Sequence, residues 1–241
     1  MQEFLDLGHM ETIPPNRVND EDCFYLTHHP VWKEDGSRKL RVVFNGSQKD
    51  SKGLSLNDCL FTGPNLLADL SAVIANWRFF QFVFSADIIK MFRKIGIDKR
   101  DRTWQRIVWR DSPDQPIQDF WINTVIYGLR SSSYQANETR FLLAKQEKHN
   151  YFLGADILEH RTYMDDSFGG GDDLESAEKA KQQLIDILLK ADMHLDKWSA
   201  NHVSLLPLTD SNNKELTFVT LDVVSTLGLS GSLRLMSLFF L

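Results

Sequence analysis

The sequence predicts an α+β fold, with mostly antiparallel strands and helices set beside them. Three observations lead there. Helical spacing of apolar residues is confined to three separate stretches, 65–77, 134–148 and 174–191. Two strand-like runs, Arg106 to Trp109 and Phe120 to Tyr127, follow one another across a Ser112-Pro113-Asp114 turn with no helix between them. A second strand pair, Thr162 to Phe168, doubles back within seven residues. A doubly wound sheet would instead alternate strand and helix regularly.

Taken in order, residues 1–38 are polar and irregular, broken by Pro14-Pro15 and Pro30, with Phe24-Tyr25-Leu26 strand-like. Leu40 to Phe44 reads as a short strand ended by the turn pair Asn45-Gly46. A loop passes through Gly53 to Gly63-Pro64, and Leu66, Leu67, Leu70, Val73, Ile74 and Trp77 then line one helix face. Phe79 to Ala86 is a dense apolar run, the mark of a buried strand, and carries Asp87 at its end. Gly128 to Ser133 is a small-residue loop before the helix from Tyr134 to Lys148. The hairpin at Thr162 to Phe168 holds Asp165 and Asp166 at its tip, and Gly169-Gly170-Gly171 breaks the chain after it. Asp172 or Asp173 is placed to cap helix 174–191, with Ala177, Ala180, Leu184, Leu188 and Ala191 inside. Phe218 to Gly228 reads as a last strand.

Composition narrows the class without naming it. The 241 residues are 42% hydrophobic and 25% charged, enough for one large domain or two interleaved subdomains. No run of about 18 apolar residues is present, so no membrane span is expected. The acidic start, Met1 to Leu7, is unlike a secretory signal. Cys23 and Cys59 form no CxxC pair, so a reducing intracellular setting is expected. Net charge is −6, yet Lys90, Arg93, Lys94, Lys99, Arg100, Arg102, Arg106 and Arg110 crowd one stretch against only Asp98 and Asp101. That stripe reads either as a solvated face or as a phosphate-handling surface.

The carboxylates carry the chemical suggestion. Two adjacent aspartates on a tight hairpin need a counter-charge, which a divalent cation supplies. Asp87, ending an apolar strand, is a third charge that is costly to leave unpaired. If the strands are neighbours, Asp87 and Asp165 are suited to hold two ions about 3.5–4 Å apart, as phosphoryl-transfer enzymes do. Taken alone, an Asp-Asp pair in a turn is commonly solvated surface. Gly170-Gly171-Asp172-Asp173 is also similar to the signature loop of nucleotide cyclases, or else is a flexible exit from the hairpin plus a helix cap.

Several segments in order resemble the reverse transcriptases of BEL/Pao-type long-terminal-repeat retrotransposons. They are Tyr25-Leu-Thr-His-His-Pro30, Lys39-Leu-Arg-Val-Val-Phe-Asn45, Gly53-Leu-Ser-Leu-Asn-Asp58 and Ser85-Ala-Asp-Ile-Ile-Lys-Met-Phe92. Gln105 to Asp111, Thr124-Val-Ile-Tyr-Gly128, Tyr163-Met-Asp-Asp166 and Lys197-Trp-Ser-Ala-Asn201 complete the set. The resemblance spans roughly residues 8 to 230. It implies a polymerase right-hand palm, an antiparallel sheet backed by helices, with partial fingers over 1–78. The palm would cover 79–230 with a fingers insertion at about 93–120, and 231–241 would be a truncated tail with no thumb following.

The implied activity is RNA-directed DNA polymerisation on an RNA or DNA template with primer, using deoxynucleoside triphosphates and two Mg²⁺ ions, or Mn²⁺. Asp87 and Asp165 would hold the ions, with the Ile88 carbonyl assisting and Asp166 in support. Arg41 and Lys39 would contact the triphosphate, Lys90 and Met91 would offer it backbone N–H groups, and Phe92 would be the steric gate against a ribose 2′-hydroxyl. Gly128 would open the loop that packs on template and nucleotide. Tyr163 and Met164 would meet the primer end, Lys197 would protonate pyrophosphate, and Gly228 would begin the primer grip. Asn45 and Ser133 depart from the usual Asp and Pro of the group. The implied setting is a retrotransposon particle, cytoplasmic or nuclear, alongside other Pol domains. A silent retroelement remnant that at most binds nucleic acid is the competing implication.

Overall fold

Local sequence sets each element, and burial of apolar side chains gathers them. The structure, a computed structural model, describes residues 1–32, 40–207, 224–226 and 229–231. The helices are α1 (Gln2–Asp6), α2 (Leu56–Cys59), α3 (Leu70–Trp77), α4 (Ser132–Glu147), α5 (Phe152–His160) and α6 (Leu174–Leu189). The strands are β1 (Met10–Thr12), β2 (Thr27–Trp32), β3 (Leu40–Asn45), β4 (Phe82–Ile88), β5 (Arg106–Trp109) and β6 (Gln118–Ile122). They continue with β7 (Thr162–Tyr163), β8 (Asp166–Gly171), β9 (Leu195–Ala200), β10 (Val224–Thr226) and β11 (Leu229–Gly231). Among the described residues, the pairings between these strands are antiparallel, and an isolated parallel bridge joins Tyr25 to Arg106. None of the helices among the described residues is long and apolar enough to cross a membrane. The chain divides into two compact units, Met1–Asn65 with Phe92–Ala136, and Leu66–Met91 with Asn137–Leu241.

The first unit holds the sheet β1-β6-β5 and the hairpin β2-β3. Phe4, Met10, Leu26, Phe44, Ile107, Phe120 and Ile122 form its core. The N-terminal segment expected to be irregular supplies α1 and β1, because Phe4 and Met10 find this core. Pro30, expected to break the chain, sits inside β2, which among the described residues pairs only with β3. An edge strand tolerates a residue with no N–H to donate. The strand expected over Phe120–Tyr127 ends at Ile122, beyond which Thr124 makes only an isolated bridge to Gly96 and Gly128 takes φ 99.

The basic stripe separates into individual roles. Arg106 is fully buried, donating to the Arg17 and Val18 carbonyls, Thr103 and Asp20. Arg93 lies over the Phe4 ring and donates to His9 Nδ1, Arg102 pairs with Glu11, and Arg100 with Asp98. Several of these cations therefore hold the fold together, and the stripe is not one continuous basic face.

The second unit is built on the sheet β7-β8-β4-β9. β4 and β8 are its two inner strands, and helices α3, α5 and α6 pack on β8. Helix α3 starts at Leu70, five residues later than the apolar spacing suggests, because Asp69 accepts from the Ser71 and Ala72 amides and fixes the N-terminus there. Asp173 caps α6 through a reciprocal box with Ser176. Ala177, Ala180, Leu184 and Leu188 are buried as expected, together with Ile187, while Ala191 lies beyond the helix end.

Gly169-Gly170-Gly171 does not break the chain. All three are buried residues of β8. A Cβ on Gly169 would stand 2.1 Å from the Phe84 ring, and one on Gly170 2.5 Å from the Phe82 carbonyl oxygen. The glycines are there because neighbouring atoms occupy the space, which also removes the reading of this stretch as a flexible exit. Helix α5 had no sequence expectation. Its N-terminal amides, Leu153 and Gly154, donate to Gln183 Oε1 of α6, and Gly154 lets the two helices meet closely.

Candidate metal centre

Three aspartates converge at one end of the second unit's sheet. β4 and β8 run in register from Phe82↔Gly171 to Asp87↔Asp166, so Asp87 and Asp166 are direct cross-strand partners on one face. Side chains so placed have Cβ atoms about 4.5–5.5 Å apart, and like charges there repel. Asp87 lies within β4 rather than after its end. Asp165 enters from the turn: Tyr163 pairs with Asp166, leaving Met164 and Asp165 as a two-residue connection. The tip therefore carries Met164 and Asp165, while Asp166 opens β8. Met164 is left-handed at φ 54, a costly conformation for a side chain of its kind, and the Ile88 amide donates to the Asp165 carbonyl at 2.8 Å. That bond ties the turn to β4.

The electrostatics follow from this crowding. Burial raises the proton affinity of Asp165, and the Asp87 charge adds to it. Burial, then Asp165 and Asp87, push Asp166 up to about 6. The cluster thus carries more negative charge than its surroundings balance. The local cation is Lys197, whose Nζ lies 2.6 Å from Asp87 Oδ2. That hydrogen bond is the main cause of the raised Lys197 proton affinity.

Strand β9 delivers this lysine by an irregularity. Ser85 faces Ser199 and Asp87 faces Asp196, so two steps on β4 meet three on β9. The extra residue is a β-bulge at Lys197-Trp198, and Lys197 takes φ 52. In a regular strand Lys197 would point to the face opposite its neighbour Asp196. The bulge also leaves Asp196 in register with Asp87, a fourth carboxylate that sequence reasoning missed.

Among the described residues no three His, Cys, Asp or Glu side chains stand gathered as a ready metal cage. The donor set nonetheless fits a hard divalent ion, being made of oxygens, and two of its carboxylates have raised proton affinity, first through burial.

The remaining expected residues are placed as follows. In the second unit, Tyr163 and Met164 are half-buried on the hairpin, Ile88 and Met91 are buried, and Lys90 is exposed at φ 52 just after β4. Met164 Sδ accepts from the Asn137 amide at 4.0 Å. In the first unit, Arg41 is exposed on β3 opposite Val31. Phe92 is buried with its ring 4.3 Å from that of half-exposed Tyr127, a neighbour the sequence did not single out. Gly128 is required by its backbone, because a Cβ there would meet the Phe44 carbonyl oxygen at 2.2 Å. Asn57 ties that loop down, donating to the Gly128 carbonyl and accepting from the Arg130 amide. Asn45 accepts from the Ser47 amide, a turn role that an aspartate would fill equally. Lys39 and Gly228 lie outside the described residues, as does most of the expected strand 218–228.

No family model matches the sequence, and no curated protein matches it. Solved structures do match. A foamy viral protease-reverse transcriptase in complex with double-stranded DNA superposes with a TM-score of 0.62 at 15% identity, over 96% of this chain and 32% of that one. The native prototype foamy virus protease-reverse transcriptase gives 0.57 at 14% identity, over 80% and 22%. Its selenomethionine-labelled CSH mutant gives 0.59 at 14%, with the same coverage. The chain spans about a third or less of those structures. The fold is therefore the mixed α/β, antiparallel-sheet fold of these reverse transcriptases.

Proposed function

We propose that this chain is the fingers-and-palm part of a BEL/Pao-type retrotransposon reverse transcriptase, an RNA-directed DNA polymerase. The observation that carries the reading is the convergence of Asp87, Asp165 and Asp166 at one sheet end within a reverse transcriptase-like fold. Polymerisation of this kind is mainly positioning and charge stabilisation. The substrates are a primed RNA or DNA template and deoxynucleoside triphosphates.

Asp87 and Asp165, with the Ile88 carbonyl, would hold two Mg²⁺ or Mn²⁺ ions, with Asp166 in support. Bound there, such ions lower the pKa of an attacking hydroxyl and neutralise a triphosphate. The chain's own contribution is geometric. The Ile88 amide pins the Asp165 turn, the strained Met164 aims it, and Lys197 holds an ionisable proton at Nζ beside the cluster. Arg41, Lys39, Lys90, Met91, Phe92 and Gly128 are proposed for the nucleotide, with Tyr163, Met164, Lys197 and Gly228 for primer and template.

Primer extension on an RNA template with Mg²⁺ or Mn²⁺ tests this. Incorporation is expected, and it should vanish in Asp87→Asn and Asp165→Asn. A folded wild-type protein that incorporates nothing would leave the silent-remnant reading in its place.

A further inference from the structure

Lys197 and Asp87 are joined by a construction more specific than a surface ion pair. The lysine comes from a bulge, its backbone is left-handed, and its Nζ reaches the one carboxylate of the cluster that lies on β4. A strand gives up pairing regularity at a bulge, and a long side chain gives up rotamer freedom to hold a single contact. Yet the lysine side chain is 72% exposed while Asp87 is 18% exposed, so the ammonium reaches inward from solvent. Burial is the first cause of the raised proton affinities of the other two carboxylates, and the nearby Lys197 charge lowers both.

From this geometry we infer that Lys197 is a built-in counter-cation that competes with divalent metal for Asp87. The inference rests on the metal-site reading of the three aspartates. With the ammonium seated, Asp87 Oδ2 is engaged, and Asp87 has only its other oxygen to offer an incoming ion. Swinging Lys197 out frees Asp87 and completes the oxygen set. Because the side chain stands mostly in solvent, the swing needs no rearrangement of the sheet. Metal occupancy and the position of Lys197 are thereby linked: each ion that engages Asp87 expels the ammonium, and each return of the ammonium weakens the ion's hold. A neutral amide at this position removes the competitor and leaves the carboxylates untouched.

Mn²⁺ binding to the whole chain, followed by electron paramagnetic resonance without nucleotide or nucleic acid, tests this directly. Lys197→Gln should bind Mn²⁺ at least about tenfold tighter than wild type, the scale expected for removing one close competing charge. Lys197→Asn, whose residue tolerates the left-handed backbone, should behave the same. In an Asp87→Asn background the gain should disappear. A second readout needs no variant: acylation of Lys197, located by mass spectrometry, should rise when Mn²⁺ is added to wild type. Equal or weaker Mn²⁺ affinity in both lysine variants, or unchanged acylation, overturns the inference while the metal site stands. Failure of every folded variant to bind Mn²⁺ overturns the metal site together with it.

Discussion

Replacing Asp166 by asparagine should stabilise this protein, and the size of the gain should depend on pH. The side chain is half-buried in register with Asp87 and next to Asp165, and its proton affinity is pushed up to about 6 from the ordinary 3.8. Folding thus raises the proton affinity of an acid. Between these two values the folded chain binds more protons than the unfolded one, so stability falls as pH rises through that window. Above it the folded state carries the full penalty of an ionised Asp166. A shift of about two pH units corresponds to roughly 3 kcal/mol, and solvent screening of a half-buried group reduces this to about 1–2 kcal/mol. Asp166→Asn keeps the shape and removes the charge. Urea denaturation followed by tryptophan fluorescence, with chelator present, should show the variant's midpoint about 0.5–1 M above wild type at pH 8, taking a typical slope for the size. The gap should close near pH 4. Saturating Mn²⁺ at pH 8 should narrow it too, by stabilising wild type more. A variant no more stable than wild type at pH 8, or a gap that widens on acidification, refutes the reasoning.

Two further substitutions probe the packing beneath the site. Gly169→Ala drives a methyl into the Phe84 ring, 2.1 Å away, and should cost about 1–3 kcal/mol in thermal or urea unfolding; an unchanged melting temperature would show that the strand has room. Trp77→Phe removes the indole N–H that donates to the Phe84 and Gly169 carbonyls across β4 and β8, and should cost about 1–3 kcal/mol by the same assay. Loss of less than half a kcal/mol would mean that water satisfies both carbonyls.

Elements whose signals are local could be read along the chain. Phe82–Ile88 is apolar apart from Ser85 and Asp87, and a buried inner strand needs such a run. Asp173 caps α6 with its own side chain, so the start of that helix was legible in the Asp172-Asp173 pair, whereas the start of α3 at Leu70 was missed although Asp69 caps it by the same rule. Gly128 stood out as a residue in a loop, and its φ of 99 is what only glycine carries readily. The three aspartates were visible as residues, and the ordered segments around them suggested a shared use.

The rest came from contacts between distant parts of the chain. Helix α5 takes its cap from Gln183, thirty residues away from Leu153, so no local motif announces it. Gly169 to Gly171 look like a break until Phe84, Phe82 and Ser176 are seen filling the space beside them. Arg106 and Arg93 read as exposed cations until Asp20, His9 and Phe4 are found around them. Lys197 reaches Asp87 only because β9 carries one more residue than β4 beside it, and a register shift leaves no trace in either strand's sequence. Propensity and capping act over a few residues, and so can be read along the chain. Register, close approach and the pairing of distant charges are properties of two segments at once, and they exist only after the chain has folded.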